Sequence, residues 1–178
     1  MKIKNIVLIT ASFFVLLSCS KDIDNENSVA ELIGTVEGNW QVTAYSFEGS
    51  RQTILFEDIS RYEFEGRGWE LHVQFNFTEN PNTYNVSGFL NIDHSVTYED
   101  GDHHDYVDTF TWTESGTWNR NNRVIHLETN SIFKTADIIL LDDLNMSLDI
   151  RTSTSENTQD GASITTINNE HIEFIKVN

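Results

Sequence analysis

Between Trp69 and Phe77 the chain alternates strictly: Trp69, Leu71, Val73, Phe75 and Phe77 on one face, Glu70, His72, Gln74 and Asn76 on the other. A period of two is the side-chain geometry of an extended strand with one dry and one wet face, and a helix would scatter those five apolar residues around its circumference. The same pattern recurs in Leu144, Met146, Leu148 and Ile150, which alternate with Asn145, Ser147, Asp149 and Arg151. Further strands are expected at Trp40–Phe47, Thr83–Ile92, Tyr106–Thr113, Arg123–Glu128, Asp137–Leu141 and His171–Val177, and the Asn80-Pro81-Asn82 turn makes a hairpin of Trp69–Phe77 and Thr83–Ile92. Turn chemistry punctuates the rest at Gly66-Arg67-Gly68, Asp100-Gly101, Asn119 to Asn122, Asp142-Asp143, Asp160-Gly161 and Asn168-Asn169. Ile54 to Tyr62 fits a short helix or a strand, and the polar stretch Ser153 to Ser163 reads as a loop. About eight short strands with short connections predict an all-β fold, a sandwich or a single closed antiparallel barrel. Closure is favoured because it leaves no free edges and an interior suited to side chains or one small ligand.

The first 18 residues stand apart. Lys2 and Lys4 precede an apolar run from Ile6 to Leu17 that is too short to span a bilayer and has the form of a secretory signal. It ends in Leu16-Leu17-Ser18-Cys19, at the one cysteine of the chain. This junction resembles the lipobox of bacterial lipoproteins. The resemblance implies that residues 1–18 are a signal peptide, that Cys19 is acylated, and that 19–35 form a flexible tether to the membrane. Lys21-Asp22 followed by Asp24 is similar to the export signal of Gram-negative surface lipoproteins, which implies an outer-membrane protein facing either the cell surface or the periplasm.

Gly38-Asn39-Trp40 opens the first strand, and Gly116-Thr117-Trp118 precedes the strand Arg123–Glu128. The first triplet resembles the Gly-x-Trp signature of lipocalins, and the pair is similar to the compact lipocalin-like domains of bacterial lipoproteins. The resemblance covers residues 36–178. It implies a structural base in which Gly38 and Trp40 meet a basic residue of the last strand, here Lys176 where lipocalins usually supply Arg. Both tryptophans are then assigned to stability.

Charge and motifs narrow the function. The chain carries 28 acidic and 11 basic residues, net −17, and losing Lys2 and Lys4 with the signal takes it to −19. Nucleic-acid binding needs clustered Lys and Arg and is excluded. No nucleophile elbow, phosphate loop or dinucleotide fingerprint is present, so no enzymatic activity and no cofactor are expected. The densest polar cluster runs from Tyr98 to Asp108. In it Asp100, Asp102, His104 and Asp105 are candidate metal ligands by composition, though the spacing fits neither the twelve-residue EF-hand loop nor the paired-His helix of zinc proteases. The leading expectation is a monomeric lipoprotein whose barrel binds a small apolar or amphipathic molecule. Its candidate wall is Trp69, Leu71, Val73, Phe75 and Phe77, with Ala44 and Gly88 leaving room opposite. The alternative is a protein-binding module (inhibitor, immunity factor or accessory subunit) whose acidic surface attracts a basic partner.

Overall fold

A computed structural model describes residues 32–129 and 132–177. The signal segment, Cys19 and the tether before residue 32 lie outside the described residues. The eight strands are β1 (Gly38–Leu55), β2 (Asp58–Thr78), β3 (Thr83–Tyr98), β4 (His103–Asn121), β5 (Val124–Thr129), β6 (Ile132–Leu141), β7 (Asn145–Asn157) and β8 (Ser163–Val177). Each pairs antiparallel with the next, and β8 returns to β1, so one sheet closes in a ring. No helix occurs among the described residues.

Several segments read as turns or loops prove to be strand. The ambiguous Ile54–Tyr62 is a hairpin tip, with Phe56 in the left-handed region (φ 55°) and the β1–β2 ladder closing at Leu55↔Asp58. Gly66-Arg67-Gly68 runs straight through β2, and Asn168-Asn169 lies inside β8. The expected loop at Ser153–Ser163 is mostly ladder: β7 and β8 stay paired to Asn157↔Ser163. The tight turn between them is held by the Thr158 side chain, which accepts from the Ala162 N–H at 3.0 Å.

The lower part of the ring is solid. Val73, Phe75 and Phe77 from β2 meet Val86 and Leu90 from β3, Ile125 and Leu127 from β5, Leu148 from β7, and Ile172 and Phe174 from β8 in one buried cluster. Phe75 is its centre: Trp112 and Phe174 both approach it edge-on, at 5.3 and 5.1 Å between centroids. That geometry sets the positive ring edge against the negative ring face.

A bulge decides which residues of β2 belong to this core. The β2–β3 register breaks between Trp69 and His72, where Glu70 takes φ 49°. One extra residue reverses the alternation. Leu71, Val73, Phe75 and Phe77 stay inside, but Trp69 turns outward, 41% exposed, with its indole N–H donating to Asp93 at 2.9 Å. The five residues therefore do not share one face, and Val73, Phe75 and Phe77 are sealed in packing rather than lining a space. Gly88 leaves no room either. The His72 carbonyl oxygen occupies the place of its missing side chain, and Ala44 pairs with exposed Glu173 on the outer ladder.

The base brings Gly38, Trp40 and Lys176 together. Trp40 and Lys176 are register partners, and the ammonium lies 5.2 Å from the indole centroid. Gly38 has φ 137°, and a side chain there would come within 2.6 Å of Lys176 Cε. Trp40 is fully buried and donates its indole N–H to the Val36 carbonyl at 2.8 Å. Residues 32–36 thus cross the base, fastened further by Ile33 N–H to Leu141 O (3.2 Å) and Arg120 to Gly34 O (3.3 Å). Gly116 and Trp118 lie near the end of β4, ahead of β5 as expected; Trp118 donates to Thr78 O at 2.9 Å and packs edge-on against Phe77.

Trp40→Ala is expected to destabilise by about 3–5 kcal/mol, the range for emptying a buried aromatic site. Trp69→Ala, on the outside, should cost well under half of that. Urea unfolding of both variants decides the point, and equal losses would contradict the assigned faces.

Candidate functional site: an aromatic cup above the core

The strands are unequal. β5 has only six residues and the β4–β5 ladder starts at Thr117, so residues 103–116 of β4 have no ladder partner on that side among the described residues. Residues 152–157 of β7 are likewise unpaired toward β6. Above the closed ring, β7, β8, β1, β2, β3 and β4 continue as a curved six-stranded wall with a notch over the β5–β6 hairpin. The wall encloses a cavity of about 1010 Å³ whose lining includes Phe47, Gly66, His94, Tyr106, Ile150 and Glu170.

Rings pave the inner face of β1 to β4. Phe47, Phe64, Tyr62, Tyr98, His104, Tyr106 and His94 form a circuit in which each ring neighbours the next at 5.2–6.5 Å between centroids, and His94 returns to Phe47. Register explains why they fit. Phe47 pairs with Gly66 and Phe64 with Gly49 on adjacent strands. A side chain on Gly66 would run into the Phe47 ring (2.6 Å to Cε1), and one on Gly49 into Phe64 (2.5 Å to Cζ). The missing side chains let each ring lie down over the neighbouring glycine, a cross-strand pairing that stabilises a sheet while keeping its surface low. Tyr45, 5.8 Å from both Phe47 and Trp112, links this circuit to the core below.

On the opposite side the interior is polar. Glu114 of β4 accepts from the Tyr84 hydroxyl at 2.5 Å and from the Lys134 ammonium at 2.8 Å, with the Trp112 indole N–H at 3.4 Å. Both members of the pair are largely covered, with side-chain exposures of 15% and 21%. Burial pushes the Glu114 carboxyl up, but the Lys134 and Tyr84 hydrogen bonds outweigh it, leaving the group below its ordinary range. Glu170 of β8 behaves oppositely. Burial dominates and raises its pKa, Lys134 pulls against this, and Glu114 adds like-charge repulsion. The Tyr45 hydroxyl and Asn168 Nδ2 (2.8 Å) donate to it. Burial beside that carboxylate also raises the Tyr45 hydroxyl far above its ordinary value. Asn168 Oδ1 is buried without any hydrogen-bond partner.

The expected metal cluster does not assemble. Asp100 caps the β3–β4 turn, accepting from the Asp102 N–H at 3.1 Å. Strand alternation then sends His104 inward to the ring circuit and Asp105 outward beside His103 at 3.2 Å. Among the described residues no group of three or more His, Cys, Asp or Glu side chains could hold an ion. Sequence reasoning missed Glu114, Lys134, Glu170 and Asn168. Their only signal was a polar residue at a position where the alternation demands an inward side chain.

No protein-family model, no curated protein and no solved structure matches this chain.

Two outcomes follow from the polar side. Lys134→Met strands the Glu114 carboxylate and should cost about 3 kcal/mol in denaturant unfolding near neutral pH, the lower end for breaking a buried pair. Glu170 acts with the other sign. Its raised pKa means the native state holds this proton more tightly than the unfolded chain, so stability falls as pH rises from about 4.3 through the native titration. Glu170→Gln should melt above wild type at about pH 8 and lose that advantage near about pH 4. A difference independent of pH would contradict the raised value.

Proposed function

We propose that this chain is a membrane-anchored lipoprotein, acylated at Cys19, whose lipocalin-like barrel binds one small amphipathic molecule in its cup. The observation that carries this reading is the cavity itself: about 1010 Å³, open to solvent, with the rings of Phe47, His94 and Tyr106 and the buried carboxyl of Glu170 in its lining. Binding sites are concave, mainly apolar, and oriented by a few polar groups, and this interior has that character. The base supports the topology of the proposal. Residues 32–36 enter across the closed end, so the chain that leads from an anchor at Cys19 joins the barrel at its base, away from the cup.

A second reading, capture of a basic protein, is favoured by one observation. Glu48 faces Glu65 across the β1–β2 ladder, and Asp137 faces Asp149 across β6–β7, all on exposed outer positions. Like charges directly opposite one another weaken a sheet, and a cationic partner would relieve them.

Fluorescence titration with an apolar reporter dye separates the readings. Wild type should bind with enhanced emission, and Phe64→Ala should bind about tenfold more weakly, a loss of about 1.4 kcal/mol, while Phe56→Ala at the exposed hairpin tip leaves binding unchanged. Absence of dye binding by wild type would hand the lead to the protein-binding reading. For the anchor, Cys19→Ala should abolish incorporation of a palmitate probe in a Gram-negative host. Continued labelling would refute lipidation at this residue.

A further inference from the structure

The polar side of the cup is short of one positive charge. Two inward carboxylates, Glu114 and Glu170, share a single ammonium, Lys134, and its short contact is to Glu114 at 2.8 Å. Glu170 has only neutral hydrogen-bond donors, the Tyr45 hydroxyl and the Asn168 amide. A buried carboxylate with no cation of its own is held at a cost of several kcal/mol, or else keeps its proton. Next to it Asn168 Oδ1 is a second acceptor, buried and without a donor. Glu170 lacks a counter-charge and Asn168 Oδ1 lacks a donor, and one N–H group bearing positive charge would supply both.

The surroundings suit such a group. Glu170 is the register partner of Phe47, and Asn168 of Gly49, the residue over which the Phe64 ring lies. A cation settling beside the hydrogen-bonded Glu170–Asn168 pair would meet Phe47 and Phe64, and aromatic walls beside a carboxylate are a recurring solution for ammonium recognition. The ring circuit beyond, from Tyr62 to Tyr106, supplies an aromatic surface, its rings tilted 43–80° to one another, for the rest of the molecule.

We propose that the cup is an amine site. It binds a molecule with a protonated amino head, taken up by Glu170 and Asn168, and a flat apolar body laid along the rings of Phe47, Phe64 and Tyr62. This deepens the ligand-binding reading and rests on it. One cation completes the floor, giving two carboxylates and two ammoniums. Binding therefore favours ionised Glu170, and the affinity of an amine whose own pKa lies well above the range studied rises with pH through the Glu170 titration. His94 and Asp108 (3.8 Å apart), His104, Arg51, Glu156 and Lys134 are further ionisable groups on the inner face.

The test uses three probes that share one fluorescent body: dansylcadaverine, its N-acetylated neutral form, and a dansyl-aminoalkanoic acid of similar length. Titrated into the wild-type domain at about pH 7.5, the amine should bind at least tenfold more tightly than the neutral form and the acid least of all. Glu170→Gln should erase the preference for the amine while leaving the neutral probe unaffected, and its circular dichroism spectrum should match wild type. Equal affinity for amine and neutral probes in wild type would overturn the amine assignment while sparing the apolar cup. Preference for the acid would overturn it in favour of Lys134 as the recognition group. If none of the three binds, the ligand-binding reading itself fails, together with the inference built on it.

Discussion

A sheet can close only as far as its shortest strands reach. β5 offers six residues where β2 offers twenty-one, so the ring is complete around the lower core and has a notched wall above it. Both halves of the molecule follow from this mismatch. Where every strand has two neighbours, the alternation drives one set of side chains into a closed interior, and Trp40, Phe75, Phe77 and Phe174 fill it. Above the notch the same alternation still points side chains inward, but no opposite wall completes the packing. The rings of β1 to β4 therefore cover one another along the sheet instead of meeting across it.

The upper half is built to hold a concave surface open, which costs stability. Glycines at 49 and 66 give up packing of their own so that Phe64 and Phe47 can lie low. The Glu170 carboxyl is buried far enough to resist ionisation, and Asn168 keeps an unmet acceptor. A protein under selection for stability alone would replace such groups with apolar residues of similar volume. Their presence around a cavity, in a chain whose core is otherwise well satisfied, is the physical reason to look for a ligand there. The tightly packed base has the opposite character. Lys176 covers Trp40, residues 32–36 close the end, and no buried side-chain polar atom among the described residues there lacks a hydrogen-bond partner.

The lower half was legible in the sequence because burial there follows a clean period of two. Val73, Phe75 and Phe77 could be placed on one strand face, as could Met146, Leu148 and Ile150, and the number of strands followed from their spacing. Trp69 could not, since the bulge at Glu70 reverses the phase and a bulge leaves no trace in hydrophobicity. The cup was misread for a related reason. Gly66-Arg67-Gly68 and Asn168-Asn169 have turn chemistry, yet the first glycine seats a ring and Asn168 supports a buried carboxylate. A residue type specifies what the backbone or side chain tolerates, and only register shows which use is made of it. The acidic stretch from Tyr98 to Asp108 reads by composition as a candidate metal cluster. Alternation divides it instead, sending His104 and Tyr106 to the cup and Asp105 to solvent.

The central claim is that one set of aromatic rings is packed away and a second set lines an open interior. Hydroxyl-radical footprinting with mass-spectrometric readout tests this most directly, since it labels aromatic side chains according to their contact with water. The account predicts strong labelling of Tyr98 and Tyr106, intermediate labelling of Tyr62, Phe64 and His94, and near-complete protection of Trp40, Phe75, Phe77 and Phe174. Protection of Tyr62, Phe64 and His94 to the level of Phe75 would mean a filled barrel without a cup and would contradict it.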